Sequence, residues 1–118
     1  MTRALFTALL FALLLTGCGS IVTEPGLKAF VGGRMEPGLD AEPIPYSIII
    51  VADGKIKAAG PQASTPVPKG AETISTKDKV VTPMPYSATI AAGQPANLMI
   101  RDNETGLVQI YSDGKRVQ

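Results

Sequence analysis

The sequence contains no histidine and no tryptophan, and Cys18 is its single cysteine. Histidine is the commonest metal ligand and the usual general base near neutral pH. Its absence therefore excludes Ser-His-Asp and Cys-His catalytic arrangements. A lone cysteine leaves no second thiol for a disulfide within the chain, so the fold must depend on its apolar core.

Aromatic residues are scarce, at 5% of the chain, so this core must consist mostly of Ile, Val, Leu and Ala. The charges nearly cancel, because eleven Lys and Arg face ten Asp and Glu, and Arg3 belongs to an amino-terminal leader. This balance predicts that neither nucleic acid nor an acidic membrane surface binds the chain through charge.

The leader ends at Cys18. An uncharged apolar run covers residues 4–15, and the segment closes with Leu15, Thr16, Gly17 and Cys18. A short cationic start, an apolar stretch of about a dozen residues and small residues at the cut are the parts of a secretory signal. A spanning helix would need about 20 apolar residues. The four closing residues resemble the lipobox of bacterial lipoproteins, which implies cleavage before Cys18, a thioether-linked diacylglycerol on its sulfur and an acyl chain (palmitate) on the new amino terminus.

The same resemblance implies where the protein resides. Gly19, not aspartate, follows the lipidated position, as in lipoproteins that diderm bacteria send to the outer membrane. We therefore expect a lipid-anchored protein of the cell envelope on the periplasmic face of the outer membrane. Residues 1–17 are then the signal peptide, residues 18–27 the lipidated cysteine and a flexible tether, and residues 28–118 the folded part.

The folded part has the pattern of short strands and turns. Ser47–Ala52 is β-branched and apolar on both faces, as in a central strand. Asp53-Gly54 and Asp113-Gly114 are hairpin signals, because both residue types accept positive φ. Further strands are predicted over residues 28–35, 55–59, 72–75, 79–82, 96–101, 107–112 and 115–117. Such spacing predicts an all-β fold, a small β-sandwich or partly open barrel preceded by a helical signal peptide.

Three segments in this order resemble the ends of amidohydrolase-superfamily enzymes. Residues 48–83 resemble the amino-terminal strands of that family, residues 91–100 its return from the catalytic barrel, and residues 110–117 its closing hairpin. In the family these pieces form a small β-sandwich, the composite domain, beside a metal-binding (β/α)8 barrel. The resemblance implies that residues 28–83 and 91–118 are the two halves of such a sandwich.

The barrel itself is missing. Val81-Thr82-Pro83 matches the family's Val-x-Pro, but Met84-Pro85-Tyr86-Ser87 stands where the family continues towards His-x-His, and the return segment begins at residue 91. A (β/α)8 barrel needs about 250 residues. The histidine pair, bridging lysine, later histidines and catalytic aspartate of the family are all absent, and Asn97 replaces an aspartate of its sandwich. We predict no catalytic residue, metal or cofactor.

Other polar residues have structural explanations. Asp53 and Asp113 are turn residues; Asp102, Asn103 and Glu104 form an acidic turn without the spacing of a calcium loop. Lys55 and Lys57 are predicted on a solvated strand face. Ser47 and Ser87 have no neighbouring base, and no helix follows Gly32-Gly33 that could hold a phosphate.

These observations predict a membrane-anchored lipoprotein with a non-catalytic sandwich that serves as a binding or structural module. Loss of the barrel is expected to expose an apolar patch at Met84, Ile90 and Leu98, covered by a protein partner or by self-association. Two alternatives stay open. The chain is an accessory part of an amidohydrolase acting on non-peptide carbon–nitrogen bonds, with the barrel on another polypeptide, or it is the truncated remnant of such an enzyme.

Overall fold

The computed structural model describes residues 25–85 and 88–118. In these residues the chain forms nine strands and one 3₁₀ turn, Gln62–Ser64. The strands are β1 (Lys28–Val31), β2 (Arg34–Met35), β3 (Ser47–Ala52), β4 (Lys55–Pro61), β5 (Glu72–Ser75), β6 (Lys79–Pro83), β7 (Leu98–Asp102), β8 (Val108–Ser112) and β9 (Lys115–Arg116). A first sheet has the order β4-β3-β1-β5, and a second sheet has the order β2-β6-β7-β8-β9. The two sheets share one core, so the prediction of an all-β sandwich is confirmed.

The main core lies between the inner faces of the two sheets. It is formed by the buried residues Phe30, Met35, Ile49, Val51, Ile56, Val81, Ile90, Ala96, Leu98, Ile100 and Tyr111. Along β7 and β8 these core residues alternate with residues of the opposite face, as the period of two in a strand requires.

Strand β3 is an interior strand of the first sheet, with β1 on one side and β4 on the other. All six of its residues are buried. Ile49 and Val51 belong to the main core, whereas Ile48 and Ile50 belong to a smaller cluster on the outer face of the same sheet. The prediction of a central strand is confirmed, and each apolar face of β3 packs in a different hydrophobic cluster.

The segment between β4 and β5 connects the two opposite edges of the first sheet. It contains Pro66 and Pro68, and Ala71 at its end packs against the outer cluster of Ala29, Ile48 and Ile50. Val67, within this segment, is 43% exposed. The crossover segment (residues 62–71) therefore lies on the outer side of the first sheet.

The chain passes from the first sheet to the second at two adjacent places. β1 continues into β2 through Gly32 and Gly33, and β5 continues into β6 through residues 76–78. β1 pairs in parallel with β5, and β2 pairs in parallel with β6. The strand predicted over residues 28–35 is therefore two strands in different sheets, with the glycine pair at the bend.

Gly33 is buried in this double crossing and leaves no room for a side chain. Its N–H donates to Thr76 Oγ1 (2.9 Å), and its carbonyl accepts hydrogen bonds from the hydroxyl (2.8 Å) and the N–H (3.0 Å) of Ser47. A Cβ atom at Gly33 would lie 2.5 Å from the carbonyl oxygen of Thr76. Such a close approach of two backbones requires glycine.

Bonding to the sandwich begins before β1. The carbonyl of Pro25 accepts a hydrogen bond from Asp53 N–H (2.7 Å), and the carbonyl of Leu27 accepts one from Glu72 N–H (3.0 Å). The last residues of the segment predicted as a tether are thus fixed to the turn between β3 and β4 and to the edge strand β5.

Candidate functional site

The connection between β6 and β7 occupies the position where the sequence resemblance places a barrel. It folds back on the sandwich: Met84 N–H donates to the carbonyl of Asn97 (3.0 Å), and Ala88 N–H donates to the carbonyl of Pro85 (2.8 Å). Ile90 N–H then donates to the carbonyl of Pro37, next to β2 (2.7 Å). The two halves of the sandwich are thereby joined by a short bonded segment.

The sequence predicted that Met84, Ile90 and Leu98 form an exposed apolar patch at this junction. For Ile90 and Leu98 that prediction is wrong. Ile90 is 4% exposed and Leu98 is fully buried, and both belong to the main core. Leu98 faces inward because it alternates with Met99 on β7 and shares the inner face with Ile100. Met84 is half-buried and lines a shallow groove of about 260 Å³ with Pro85 and Ile110.

Half-buried apolar side chains lie instead on the outer face of the second sheet. Val81, Leu98, Ile100 and Tyr111 belong to the core, so their strand neighbours of opposite parity face outward. Cross-strand pairing aligns these neighbours in two rows, Thr82-Met99-Ile110 and Val80-Arg101-Val108. We define these six residues as the outer face of the second sheet. Alternation along β7 was the sequence signal that could have located it.

Exposure differs across this face. Val80 and Thr82 are buried, whereas Met99, Val108 and Ile110 are half-buried. The hydroxyl of Thr82 has no hydrogen-bond partner within the described part of the chain. Val117, whose N–H donates to the carbonyl of Ile110 (2.8 Å), lies beside the first row and is 63% exposed.

The two Asp-Gly turns meet at one end of the sandwich, the turn end. Asp53 (φ 52°) and Gly54 (φ 77°) join β3 to β4; Asp113 (φ 50°) and Gly114 (φ 79°) join β8 to β9. The hairpin predictions are therefore confirmed. The turns border an open cleft of about 370 Å³ whose lining residues include Pro25, Lys28 and Lys115.

Ala96 and Asn97 connect the two turns. Ala96 N–H donates to the carbonyl of Gly54, and its own carbonyl accepts from Gly114 N–H, each at 2.9 Å. Asn97 Oδ1 accepts from Asp113 N–H (2.8 Å). Asn97, at the position where the sequence resemblance would place an aspartate, thus supplies an oxygen acceptor to a turn, a role that a carboxylate could also fill.

In the acidic turn after β7, the Asp102 carboxylate accepts hydrogen bonds from backbone N–H groups of the same turn. Asp102 Oδ1 accepts hydrogen bonds from Thr105 N–H (3.0 Å) and Glu104 N–H (2.8 Å). These bonds, chiefly the one from Thr105, and the charge of Lys79 hold the pKa of Asp102 below its ordinary value. Within residues 25–85 and 88–118, no three acidic side chains gather as a metal site.

Ser47, Lys55 and Lys57, which the sequence analysis also considered, occupy positions that fit a structural role. Ser47 is buried, and its hydroxyl donates to the carbonyl of Gly33. Lys55 and Lys57 are exposed on β4, as predicted. Five residues named in the sequence analysis lie outside the described part of the chain: Leu15, Thr16, Gly17, Cys18 and Ser87.

Within the described residues, no helix has the length and hydropathy of a membrane-spanning segment.

Comparison with known proteins gives one partial match. No protein-family model and no curated protein matches the chain. The chain is similar to a solved structure of molinate hydrolase, an enzyme of the amidohydrolase superfamily, with 26% sequence identity and a TM-score of 0.45. The match covers 52% of this chain and 13% of that chain. At this TM-score the match establishes neither the fold nor the activity of the present chain.

Proposed function

We propose that this protein is a bacterial lipoprotein of the cell envelope, held at a membrane by lipid on Cys18. Its sandwich is proposed to be a non-catalytic, amidohydrolase-like module that binds a partner or has a structural role. The observation that carries the proposal is the closed junction between β6 and β7, where Ile90 and Leu98 fill the core.

A sandwich that awaited a barrel on another polypeptide would expose apolar side chains at the junction. Here the connecting segment bonds to Asn97 and Pro37, and its Ile90 is buried in the main core. The junction therefore supports a self-contained unit rather than half of an enzyme.

The polar groups also favour a non-catalytic role. The chain has no histidine, and Asp53 and Asp113 hold the positive φ angles of two turns. The Asp102 carboxylate accepts backbone hydrogen bonds within its own turn.

The proposed anchor rests on the sequence from Leu15 to Cys18. Within the described residues, Pro25 is already bonded to the sandwich, and it follows Cys18 by seven residues. A lipidated cysteine with several acyl chains would attach the protein stably, and Gly19 favours the periplasmic face of the outer membrane as its location.

Lipidation is tested by expressing the full chain in a diderm bacterium with labelled palmitate. We expect label in the protein, recovery in the outer-membrane fraction, and a mature mass that corresponds to cleavage before Cys18 with acyl groups added. The Cys18→Ser variant should carry no label. An unmodified Cys18 in the wild-type protein would refute the anchor.

The module is tested separately by an amide ¹H–¹⁵N spectrum of residues 19–118. A self-contained sandwich predicts well-dispersed signals typical of β-structure. Collapsed, broad signals would contradict it and favour the accessory or truncated amidohydrolase. An accessory part also predicts a partner with a His-x-His barrel, which crosslinking in membranes would recover.

A further inference from the structure

We propose that Asp53 is a site of spontaneous isoaspartate formation, and that the fold protects Asp113, in the matching turn, from the same reaction. In the modified protein the main chain runs through the side-chain carboxyl carbon of Asp53. The inference depends on neither the lipid anchor nor the amidohydrolase resemblance.

The reaction needs only the chain and water. The backbone nitrogen of Gly54 attacks Cγ of the protonated Asp53 carboxyl. An N–Cγ bond forms, and the proton of the nitrogen leaves with the carboxyl hydroxyl as water, which closes a succinimide ring. Water then adds to the ring: addition at the backbone carbonyl of Asp53 breaks its bond to nitrogen and gives isoaspartate, and addition at Cγ restores aspartate. Glycine favours ring closure because no side chain shields its nitrogen.

The two Asp-Gly pairs have almost the same sequence around them. Residues 52–55 read Ala-Asp-Gly-Lys, and residues 112–115 read Ser-Asp-Gly-Lys. A comparison of sequence alone therefore predicts similar reactivity at Asp53 and Asp113. A difference between them would have to come from the fold.

Several structural features are also shared by the two turns. Both aspartates are exposed, and their φ angles are 52° and 50°. Each has its own N–H bonded: Asp53 donates to the carbonyl of Pro25 (2.7 Å), and Asp113 donates to Asn97 Oδ1 (2.8 Å). Crowding at the α-carbons is similar too, because an added Cβ would have its nearest neighbour at 3.2 Å in Gly54 and at 3.1 Å in Gly114.

The two turns differ at the nitrogen that must attack. Gly114 is buried, and its N–H donates to the carbonyl of Ala96 (2.9 Å). Gly54 is half-buried, and its N–H has no acceptor within residues 25–85 and 88–118. Attack turns the nitrogen out of its peptide plane towards the carboxyl, so Gly114 would first have to lose a hydrogen bond in a buried position. Gly54 has no such bond to lose.

The modification would change the turn end. Isoaspartate adds one carbon atom to the main chain, which the two-residue turn between β3 and β4 cannot accommodate in its present form. That turn holds Pro25 through Asp53 N–H, and the Gly54 carbonyl accepts from Ala96 N–H (2.9 Å). We expect both contacts to weaken in the modified protein, so that the chain loosens at Pro25.

The test follows isoaspartate in the purified full chain during storage at neutral pH. A methyltransferase specific for isoaspartyl carboxyls measures its amount, and electron-transfer fragmentation of peptides assigns its position. In the folded protein we expect several-fold faster accumulation at position 53 than at position 113. In concentrated urea the two rates should agree, because the neighbouring residues are almost the same.

Two further measurements address the cause. Amide hydrogen exchange of the folded protein should be several-fold faster at Gly54 than at Gly114. The Asn97→Ala variant removes the side-chain acceptor of Asp113 N–H and should loosen that turn, which raises isoaspartate at position 113. An unchanged rate at position 53 in this variant shows that the sandwich remains folded.

Equal rates in the folded protein, or a faster rate at position 113, would overturn the proposal. So would a folded protein that forms no isoaspartate at position 53 while the chain in urea forms it at both positions. A difference that persisted unchanged in urea would show that sequence, not the fold, protects Asp113. Equal exchange at Gly54 and Gly114 would refute the hydrogen bond as the cause.

Discussion

The rings of Phe30 and Tyr111 meet edge to face across the sandwich, with centroids 4.9 Å apart and planes at 85°. Phe30 comes from β1 of the first sheet and Tyr111 from β8 of the second. Edge-to-face pairs contribute about 0.5–1.5 kcal/mol beyond the burial of their area. In a chain with so few aromatic residues, this contact joins the two sheets near the centre of the core.

Replacing Tyr111 with alanine should lower the free energy of unfolding by about 3–5 kcal/mol, as for other large aromatic residues in cores. Tyr46, which is 73% exposed, provides the matched control, and Tyr46→Ala should change it by less than about 0.5 kcal/mol. Urea unfolding of both variants measures the difference. Similar losses in the two variants would show that the pair has no special role.

Alkaline pH should destabilise the protein through Tyr111. Burial, aided by the charge of Glu72 and opposed by Arg116, raises the pKa of Tyr111 above its ordinary value of 10.0. Because the folded state favours the neutral hydroxyl, its contribution is fully present below the unfolded pKa, about 10, and is lost as pH rises through the higher folded pKa. Urea midpoints measured across this range should fall less steeply in Tyr111→Phe. An unchanged slope would contradict the assignment.

Gly33→Ala should lower the free energy of unfolding by about 1–3 kcal/mol, because the added methyl overpacks the crossing point beside Thr76. Gly60→Ala is the control: the nearest atom to its new Cβ would be Thr65 Oγ1 at 3.6 Å, an ordinary contact. That variant should be neutral or stabilised by up to about 1 kcal/mol. Thermal unfolding compares the two, and equal midpoints would exclude a tight crossing.

Leu98→Ala tests the closed junction between β6 and β7. Leu98 is fully buried and Leu107 is 71% exposed, so Leu98→Ala should lower the free energy of unfolding by about 2–5 kcal/mol and Leu107→Ala by less than about 0.5 kcal/mol. Ile90→Ala should resemble Leu98→Ala. If Leu98→Ala were as stable as Leu107→Ala, the junction would be open in solution.

Local features of the fold could be predicted from the sequence. Each of three features could be predicted from its own short segment: the Asp53-Gly54 turn, the Asp113-Gly114 turn and the interior strand β3. Turn chemistry and the apolar pattern of a strand are local properties of the sequence. The sequence also located both ends of most strands to within a residue or two.

Features that depend on distant residues could not be predicted in this way. The bend at Gly32-Gly33 was expected, but the transfer of the chain into another sheet depends on pairing with β5 and β6, more than forty positions away. The prediction that Leu98 is exposed was wrong because the direction of its side chain decides the matter, and that depends on which face of β7 packs against the first sheet. A shift of one residue reverses every side chain of a strand, and the outward residue was its neighbour, Met99.

The position of β1 determines how the protein would respond to mechanical force. This first strand is bonded to β3 on one side and β5 on the other, and the preceding Pro25 is bonded to Asp53. A pull on the amino terminus along β1 would load both rows of hydrogen bonds together, in shear, whereas an edge strand can peel off one bond at a time. We expect single-molecule pulling from the amino terminus to give a higher rupture force than pulling on β9 across the sheet. The proposed anchor would thus hold the protein by a strand that is hydrogen-bonded on both sides.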